Sequence, residues 1–308
     1  MHKSVLLKET IDNLEIKDDL IYVDATLGYA GHSREVLKRI KKGFLFAFDQ
    51  DSEAIQYSEK ILSNISNQYE IVHSNFVNIK KELTDRGIAK IDGIMFDLGI
   101  SSPQLDNEER GFSYHQDARL DMRMNREDKL SAYEIVNNYS VEELLDIFFK
   151  YGEEKYARSI AKKIIEYRTQ KPIETTLELV EVIKSGVPDK YKRAGHPARK
   201  VFQAIRIEVN HELDILEKSL EDAIDLLNEG GRICVITFHS LEDKICKSVF
   251  KKYSDVPEIV KGLPNIPDEY KPTLKLIGRY VPSDEELNIN NRARSATLRV
   301  AEKIRRKD

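Results

Sequence analysis

The sequence predicts an α/β protein whose parallel sheet is interrupted by a helical insertion. Four apolar stretches in the first hundred residues, each followed by a turn or a helical pattern, lie at 20–23, 44–48, 69–72 and 91–96. Repeated strand–helix units of this kind are typical of a parallel sheet. After residue 108 helical patterns follow one another without strands. We therefore expect a core formed by residues 1–108 and 196–308, and an insertion at 109–195.

The first predicted strand leads into a turn of small residues, Gly28-Tyr29-Ala30-Gly31-His32-Ser33. Small residues let a backbone approach a ligand, and the helix that begins there offers unpaired N–H groups. The G-x-x-G spacing is shorter than the G-x-G-x-x-G fingerprint of dinucleotide-binding folds. The turn alone is equally consistent with an ordinary connection between a strand and a helix.

Aspartates follow three of the predicted strands, at Asp24, Asp49 and Asp97. Asp49 comes 18 residues after Gly31, where doubly wound folds place an acid that binds ribose hydroxyls. Each aspartate alone could be a helix cap. Three at equivalent strand ends favour a nucleoside-cofactor site, in which Phe76 would either pack against a purine or belong to the core.

The predicted insertion begins with a polar loop at 106–129, which is long enough to be functional or disordered. Three capping-box patterns then predict helix starts, and they are Ser131-x-x-Glu134, Ser140-x-x-Glu143 and Thr175-x-x-Glu178. Beyond the insertion we expect one long helical stretch from 196 to 228, ended by Gly230 and Gly231. A strand at 232–238 and a terminal pair of strands at 274–277 and 296–300 follow.

Basic residues are concentrated in two regions of a chain whose formal net charge is −4. Residues 150–206 contain 14 Lys and Arg against 7 Asp and Glu, and residues 292–308 contain 7 against 2. These regions either bind a polyanion or are solvated faces.

Composition suits one large or two modest domains, with 41% hydrophobic and 33% charged residues among 308. Charges interrupt the first nine residues too early for a signal peptide, and no apolar run reaches ~18 residues, so we expect a cytoplasmic protein without a membrane partner. Cys234 and Cys246 lack metal-ligand spacing and are interpreted as buried thiols, with no metal site.

Several separated motifs resemble the bacterial RsmH (MraW) family of methyltransferases. They are His2-x-Ser4-Val5-Leu6-Leu7-x-Glu9, Leu27-Gly28-x-x-Gly31-His32-Ser33, Asp97-Leu98-Gly99-Ile100-Ser101-Ser102-Pro103-Gln104-Leu105-Asp106, Glu109-Arg110-Gly111-Phe112-Ser113, Leu120-Asp121-Met122-Arg123-Met124, Phe202-Gln203-Ala204-Ile205-Arg206, Phe238-His239-Ser240-Leu241-Glu242-Asp243 and Arg292-Ala293-Arg294-Ser295. The resemblance spans nearly the whole chain.

This resemblance implies a class I (Rossmann-like) S-adenosylmethionine-dependent methyltransferase with an inserted all-helical domain that binds RNA. The sheet would have seven strands, the last antiparallel. The implied substrate is the exocyclic N(4) amine of a cytosine in 16S ribosomal RNA of the small subunit, and the protein would be a monomer or homodimer. The implied cofactor contacts are Ala30, Gly31, His32, Asp49, Phe76, Asp97 and Gln104.

For the chemistry, we expect Asp97 and the segment with Ser101 and Ser102 to accept hydrogen bonds from the amine. His239, which follows a strand, is either structural or a further contact or proton acceptor. Arg110, Phe112 and Tyr114 are candidate substrate contacts, although loop aromatics also serve packing. Phosphates would be held by the insertion and by Arg292, Arg294, Arg299, Arg305 and Arg306.

Three other functions fit parts of the sequence. A nicotinamide dehydrogenase would share the first two strands and Asp49, but the glycine fingerprint is incomplete and no hydride-transfer domain is recognisable. A ribosome-assembly factor without catalytic activity would explain the basic regions but not the aspartates at successive strand ends. A methyltransferase that acts on DNA or protein is disfavoured by the family resemblance alone.

Overall fold

The computed structural model describes residues 4–305, except for the side chain of Ser102. His2 and Arg306, both used above, lie outside the described residues. The helices and strands in chain order are α1 (Leu7–Asn13), β1 (Ile21–Asp24), α2 (Gly31–Leu37), β2 (Phe44–Asp49), α3 (Ser52–Leu62), β3 (Tyr69–His73), α4 (Ile79–Asp85), β4 (Ile91–Asp97), α5 (Ser102–Asp106), α6 (Ala132–Asn138), α7 (Val141–Lys150), α8 (Ala157–Arg168), α9 (Thr176–Ser185), α10 (Asp189–Ala194), α11 (Arg199–Asn210), α12 (Leu216–Leu226), β5 (Leu227–Thr237), α13 (Ser240–Ser254), β6 (Leu274–Tyr280), α14 (Asp284–Ile289) and β7 (Thr297–Lys303).

The chain forms two compact units. The sheet unit holds the chain up to Gly99 and again from Leu213, and the helical unit is Ile100–Glu212. The insertion expected at 109–195 lies within the helical unit, which is longer at both ends. None of the helices in residues 4–305 combines the length and the apolar composition that crossing a membrane requires.

The sheet unit contains one seven-stranded sheet in the order β3-β2-β1-β4-β5-β7-β6. The first five strands are mutually parallel, and β7 is antiparallel to both of its neighbours. This confirms the expected class I methyltransferase sheet. Because the strand order reverses between β1 and β4, their carboxyl ends form the crevice in which open α/β sheets bind ligands.

The central strands β1, β2 and β4 are buried on both faces, which explains why they are almost wholly apolar up to the aspartates at their ends. On β2, Phe46 and Phe48 join one core cluster, whereas Leu45 and Ala47 join the other. Side chains alternate between the faces because successive residues of a strand point in opposite directions. Helices α4, α12 and α13 cover the first face, and α1 and α2 cover the second.

The long helix expected at 196–228 is wrong, because the chain forms two helices there. Helix α11 ends at Asn210, and His211 adopts the left-handed conformation with φ of +51°. Helix α12 then ends at Leu226, and β5 begins at Leu227. Gly230 and Gly231 therefore lie within a strand, beside a register shift in the pairing of β4 with β5.

All three predicted capping boxes are present in the helical unit. Ser131, Ser140 and Thr175 each accept a hydrogen bond from the first turn of the following helix, and the glutamate three residues on bonds back to the cap. The paired bonds satisfy backbone N–H groups that a helix start leaves open. These helix starts were predictable because both partners are close in sequence.

Candidate cofactor and active site

The turn after β1 is fixed by a buried aspartate. Asp24 is 1% exposed, and its Oδ1 accepts a hydrogen bond from the Thr26 N–H at 3.1 Å. Its Oδ2 accepts one from the Ser33 hydroxyl at 2.7 Å. Burial raises the pKa of Asp24 to about 6, whereas these bonds act to lower it. Asp24 thus ties the end of β1 to the first turn of α2.

Gly28, Ala30 and Gly31 are small for different physical reasons. Gly28 has a φ of +50°, and a Cβ placed there would meet only the Thr26 carbonyl oxygen, at 3.9 Å, so this side of the turn is open. At Gly31 a Cβ would lie 1.7 Å from the Ser4 Oγ. A side chain at position 31 would therefore have to displace Ser4, so contact with Ser4 is a reason for glycine here besides the close approach of a ligand. Ala30 adopts a left-handed φ of +60°.

Asp49 at the end of β2 is held by two backbone donors. Its Oδ2 accepts a hydrogen bond from the Gly28 N–H at 2.8 Å, and its Oδ1 accepts one from the Asp51 N–H at 2.9 Å. Burial raises the pKa of Asp49 to about 7. Each carboxylate oxygen has a second lone pair, so this arrangement fits two further donors such as the hydroxyls of a ribose.

Phe76 follows β3 and begins a short 3-10 helix, Phe76–Asn78. Its ring meets the ring of Phe96 edge-on, with the centroids 5.7 Å apart and an interplanar angle of 82°. The Asn75 side chain accepts the Val77 N–H at 3.0 Å and donates to the Gln50 Oε1 at 2.8 Å. Phe76 is therefore partly buried at the sheet edge that carries Asp49.

Asp97 at the end of β4 has an unsatisfied oxygen. Its backbone N–H donates to the Thr26 Oγ1 at 2.6 Å, and its Oδ2 lies 3.6 Å from the His32 Nδ1. Its Oδ1 is buried and has no hydrogen-bond partner among the described residues. Burial, together with the nearby charges of Asp24 and Glu242, raises the pKa of Asp97 to about 8. A buried polar atom in this state fits a donor or a cation supplied by a ligand.

His32 lies beside Asp97 and is held in the neutral form. It is 5% exposed, and burial lowers its pKa to about 4. Its Nε2 is buried and unpartnered within residues 4–305. Asp97 and His32 therefore do not form a charged pair near neutral pH. The Asp97 Oδ1 and the His32 Nε2, both buried without a hydrogen-bond partner among the described residues, lie at the same edge of the sheet.

His239 follows β5 and caps helix α13. Its Nε2 lies 3.1 Å from the Glu242 Oε1, and the Glu242 Oε2 accepts the N–H of Phe238 at 2.7 Å. Glu242 is 2% exposed. Sequence reasoning missed this role of Glu242, although the spacing of three residues between the two is the one that a capping box uses.

The expected contacts in the segment after β4 lie in the helical unit. The Ser101 Oγ accepts the Gln104 N–H at 3.3 Å, and the Gln104 Oε1 accepts the Ser101 N–H at 3.0 Å. This capping box fixes the start of α5, so both side chains have a local structural role. Ser102 lies outside the described side chains.

Two of the candidate substrate contacts in the loop are buried. Arg110 is 2% exposed, and its Nη2 donates to the carbonyl oxygens of Arg123 and Met124, both at 3.0 Å. Phe112 is 6% exposed. These positions leave neither side chain open to a phosphate or a base in this conformation. The cause is long-range, because the loop folds onto residues 13 and 14 positions away.

Tyr114 is half-buried and stacks on His196. Their centroids are 4.4 Å apart with an interplanar angle of 26°, and His115 and Phe202 pack beside them. Burial, with the charges of His115 and Lys184, lowers the pKa of His196. Among the three loop candidates, Tyr114 is the one with partial solvent access.

The arginines near the end of the chain differ in exposure. Arg292 and Arg294 are exposed in a 3-10 helix, Asn291–Ser295. Arg299 instead forms a two-bond pair with Asp243, at 2.7 and 2.9 Å, which commits it to joining β7 to α13. Arg305 lies 3.6 Å from Asp268. Both cysteines are buried and free, as expected.

Comparison with known proteins gives one family and several structural likenesses. A candidate rRNA methylase from Clostridium thermocellum shares 13% identity, with 100% of each chain covered and a TM-score of 0.47. An rRNA methylase from Streptococcus thermophilus shares 13%, with 99% of each chain covered and a TM-score of 0.43. A candidate methyltransferase from Streptococcus mutans, solved with SAH, shares 14%, covering 98% of this chain and 99% of that one, at 0.43.

The assignment rests on the sequence family, because identities this low carry no argument about activity. The model of the MraW methylase family matches residues 1–304, which is essentially the whole chain. The strand order and the antiparallel β7 agree with this match. The chain therefore belongs to the MraW methylase family, as a class I methyltransferase that uses S-adenosylmethionine.

Proposed function

We propose that this protein transfers a methyl group from S-adenosylmethionine to the exocyclic N(4) amine of a cytosine in 16S ribosomal RNA of the small subunit. The observation that carries the proposal is the buried, unpartnered Oδ1 of Asp97 in the sheet crevice, in a chain of a methylase family. An amine nucleophile supplies the donor that this atom lacks. The choice of cytosine in 16S RNA is supported by the family resemblance of the sequence motifs.

The crevice fits a cationic nucleoside cofactor. Asp24, Asp49 and Asp97 lie at neighbouring strand ends, and the charge of Asp24 raises the pKa of both others. A cation placed there would relieve this repulsion and lower those pKa values. Asp49 would accept the ribose hydroxyls and Phe76 would pack against the adenine. The methionine portion would lie along the turn formed by Ala30, Gly31 and His32.

S-adenosylmethionine supplies an electrophilic methyl group on a sulfonium, which becomes a neutral thioether after transfer. The residues of this chain must aim the amine, whose lone pair is delocalised into the cytosine ring, and must accept a proton from it. Asp97 would accept hydrogen bonds from the amine, with help from Ser101, Ser102 and the backbone around them. Gln104 would contact the cofactor. Holding the two reactants in line can supply an effective molarity of ~10⁵ M or more.

His239 is the second candidate for receiving the proton. It stands at the end of β5, where Glu242 accepts the backbone N–H groups of Phe238 and His239 and so fixes the start of α13. Both ring nitrogens of His239 and the Asp97 Oδ1 are buried without a hydrogen-bond partner among the described residues. Asp97 is favoured as the acceptor because it lies at the end of β4, beside the point where the strand order reverses, whereas the Nε2 of His239 lies 3.1 Å from the Glu242 carboxylate.

The target base must leave any helical stack before it can react. Tyr114 is the candidate for stacking on the extruded base, and Arg292 and Arg294 are candidates for the flanking phosphates. Arg110 and Phe112 are weaker candidates for such contacts, because both side chains are buried.

The test is transfer of labelled methyl from S-adenosylmethionine to small ribosomal subunits that lack the modification. The product nucleoside is identified by mass spectrometry, and free 16S RNA and DNA of the same sequence are compared as substrates. N(4)-methylcytidine at one position is expected. No incorporation into subunits or free RNA, despite measurable cofactor binding, would overturn the proposed substrate while leaving the family assignment intact.

A further inference from the structure

The helical unit carries exposed cations that lie along one side of α8. Lys155 lies in the turn before the helix, and Arg158 and Lys162 lie on the helix, four residues apart. Residues four apart lie on the same side of a helix, roughly 6 Å apart along its axis. All three are exposed. Within residues 4–305, Arg158 and Lys162 form neither an ion pair nor a hydrogen bond.

Helix α10 adds two more cations of the same kind. Lys190 and Arg193 are exposed and, in the part of the chain that the structure describes, also lack hydrogen-bonded or acidic partners. Tyr191 between them contacts Tyr156 at the start of α8, with ring centroids 4.9 Å apart. The start of α8 and the middle of α10 are therefore in contact through these two rings.

Lys155 joins the two sets. Its Nζ lies 5.0 Å from the centroid of the Tyr156 ring and 4.8 Å from that of Tyr191. These contacts hold the ammonium group between α8 and α10 by cation–π attraction. We call Lys155, Arg158, Lys162, Lys190 and Arg193 the unpaired-cation row.

The acids of these helices are already committed to other groups. Glu166 pairs with Lys163 at 2.8 Å, and Asp189 pairs with Lys192 at 2.9 Å. Glu154 is 1% exposed, and its carboxylate accepts the Tyr191 hydroxyl at 2.6 Å. The row thus retains its positive charge, and the mutual repulsion of its members favours binding of a polyanion.

We infer that the unpaired-cation row binds backbone phosphates of the RNA substrate, an inference that rests on the proposed function. An acidic protein is the less suitable partner, because protein interfaces need an apolar or aromatic centre. Segments 155–162 and 189–194 contain no exposed large apolar side chain among those described, and their two partly exposed aromatic rings, Tyr156 and Tyr191, already contact each other and Lys155. Contacts of this type position RNA without reading its sequence.

The test compares two triple variants of the full-length protein with the same change in charge. The row variant carries Arg158→Gln, Lys162→Gln and Lys190→Gln. The control variant carries Lys163→Gln, Lys184→Gln and Lys192→Gln, three lysines of the same unit that are paired with acids. Binding to transcribed, unmodified 16S RNA is measured by filter retention over a series of KCl concentrations. Affinity for S-adenosylmethionine checks that each variant is folded.

The row variant is expected to lose about 2 units from the slope of log affinity against log salt, or ~0.7 for each lost phosphate contact. Its affinity should fall at least about tenfold at 0.15 M KCl, while the control stays within about twofold. Equal losses in both variants would mean that only net charge matters and would overturn the inference. If the row variant binds RNA as tightly as the unaltered protein and still methylates it, the inference is wrong but the proposed function stands. Failure of the unaltered protein to bind RNA would overturn the proposed substrate as well.

Discussion

The two units of this protein use charge in opposite ways. In the sheet unit the notable charges are acidic and largely shielded from solvent, since Asp24 is 1% exposed and the Oδ1 of Asp97 is buried. In the helical unit they are basic, numerous and exposed, as Arg158 and Lys162 illustrate. A desolvated group has a strongly shifted pKa and a large individual effect, whereas exposed cations act by their sum. The sheet unit is therefore suited to chemistry and the helical unit to binding.

The largest effect is expected from removing the carboxyl group of Asp97. Asp97→Asn keeps the shape of the side chain and one acceptor oxygen but cannot take up the proton of the amine, so kcat for methyl transfer should fall about a thousandfold. The control is Asp92→Asn at the opposite end of the same strand, where the carboxylate bonds to the Ile21 N–H and the Asn228 side chain. Asp92→Asn should retain turnover. Activity of Asp97→Asn within a few-fold of the unaltered enzyme would remove Asp97 from the mechanism.

Arg110 tests whether burial, rather than the unit in which a charge lies, sets the size of its effect, because it is a buried cation within the helical unit. Arg110→Met should lower the free energy of unfolding by about 2–5 kcal/mol, since two backbone carbonyls lose their donor. Arg158→Met, at an exposed position, should change it by no more than ~0.5 kcal/mol. Urea denaturation of both variants measures the difference. Equal effects would show that burial does not separate these two arginines.

A third prediction concerns pH. The pKa of Asp97 is raised to about 8 in the folded protein, from an ordinary 3.8, so its contribution to stability is lost as the pH rises from 4 through 8. Between pH 6.5 and 8.5 this loss should be about 2 kcal/mol in the cofactor-free protein. His32 and Asp24, with pKa values of about 4 and 6, contribute little in this interval.

The matched variant for the pH prediction is Asp97→Asn. It should show a smaller decrease over the same interval, with the remainder due to Asp49, whose pKa is about 7. Urea denaturation at both pH values gives the comparison. Parallel pH profiles for the two proteins would mean that Asp97 titrates normally.

The smallest effect is expected at Gly31. A methyl group there would lie 1.7 Å from the Ser4 Oγ and 3.0 Å from the Ser4 Cβ, so Gly31→Ala should destabilise the fold by about 1–3 kcal/mol. Adding Ser4→Ala removes the closer clash and should restore part of the loss. A double-mutant cycle by urea denaturation measures the coupling. Additive effects would mean that the glycine serves another purpose.

Local patterns allowed much of the fold to be predicted from sequence. Strand β4 and the capping box at Ser140 depend on neighbours within a few residues, and both were placed correctly. The break at His211 was missed because the apolar spacing continues across it. Burial of Arg110 and the contact of Ser4 with Gly31 were also missed, since each depends on partners that only the folded chain brings close.

The two free thiols can report local unfolding of the sheet unit. Cys234 belongs to the core on one face of the sheet and Cys246 to the core on the other, while the sequence has no further cysteine. Burial raises the pKa of both thiols, which keeps them protonated and unreactive in the folded state. Alkylation of Cys246 would therefore report exposure of the core beneath α4, α12 and α13, and alkylation of Cys234 would report exposure of the core beneath α1 and α2. The helical unit, which contains no cysteine, would stay unlabelled.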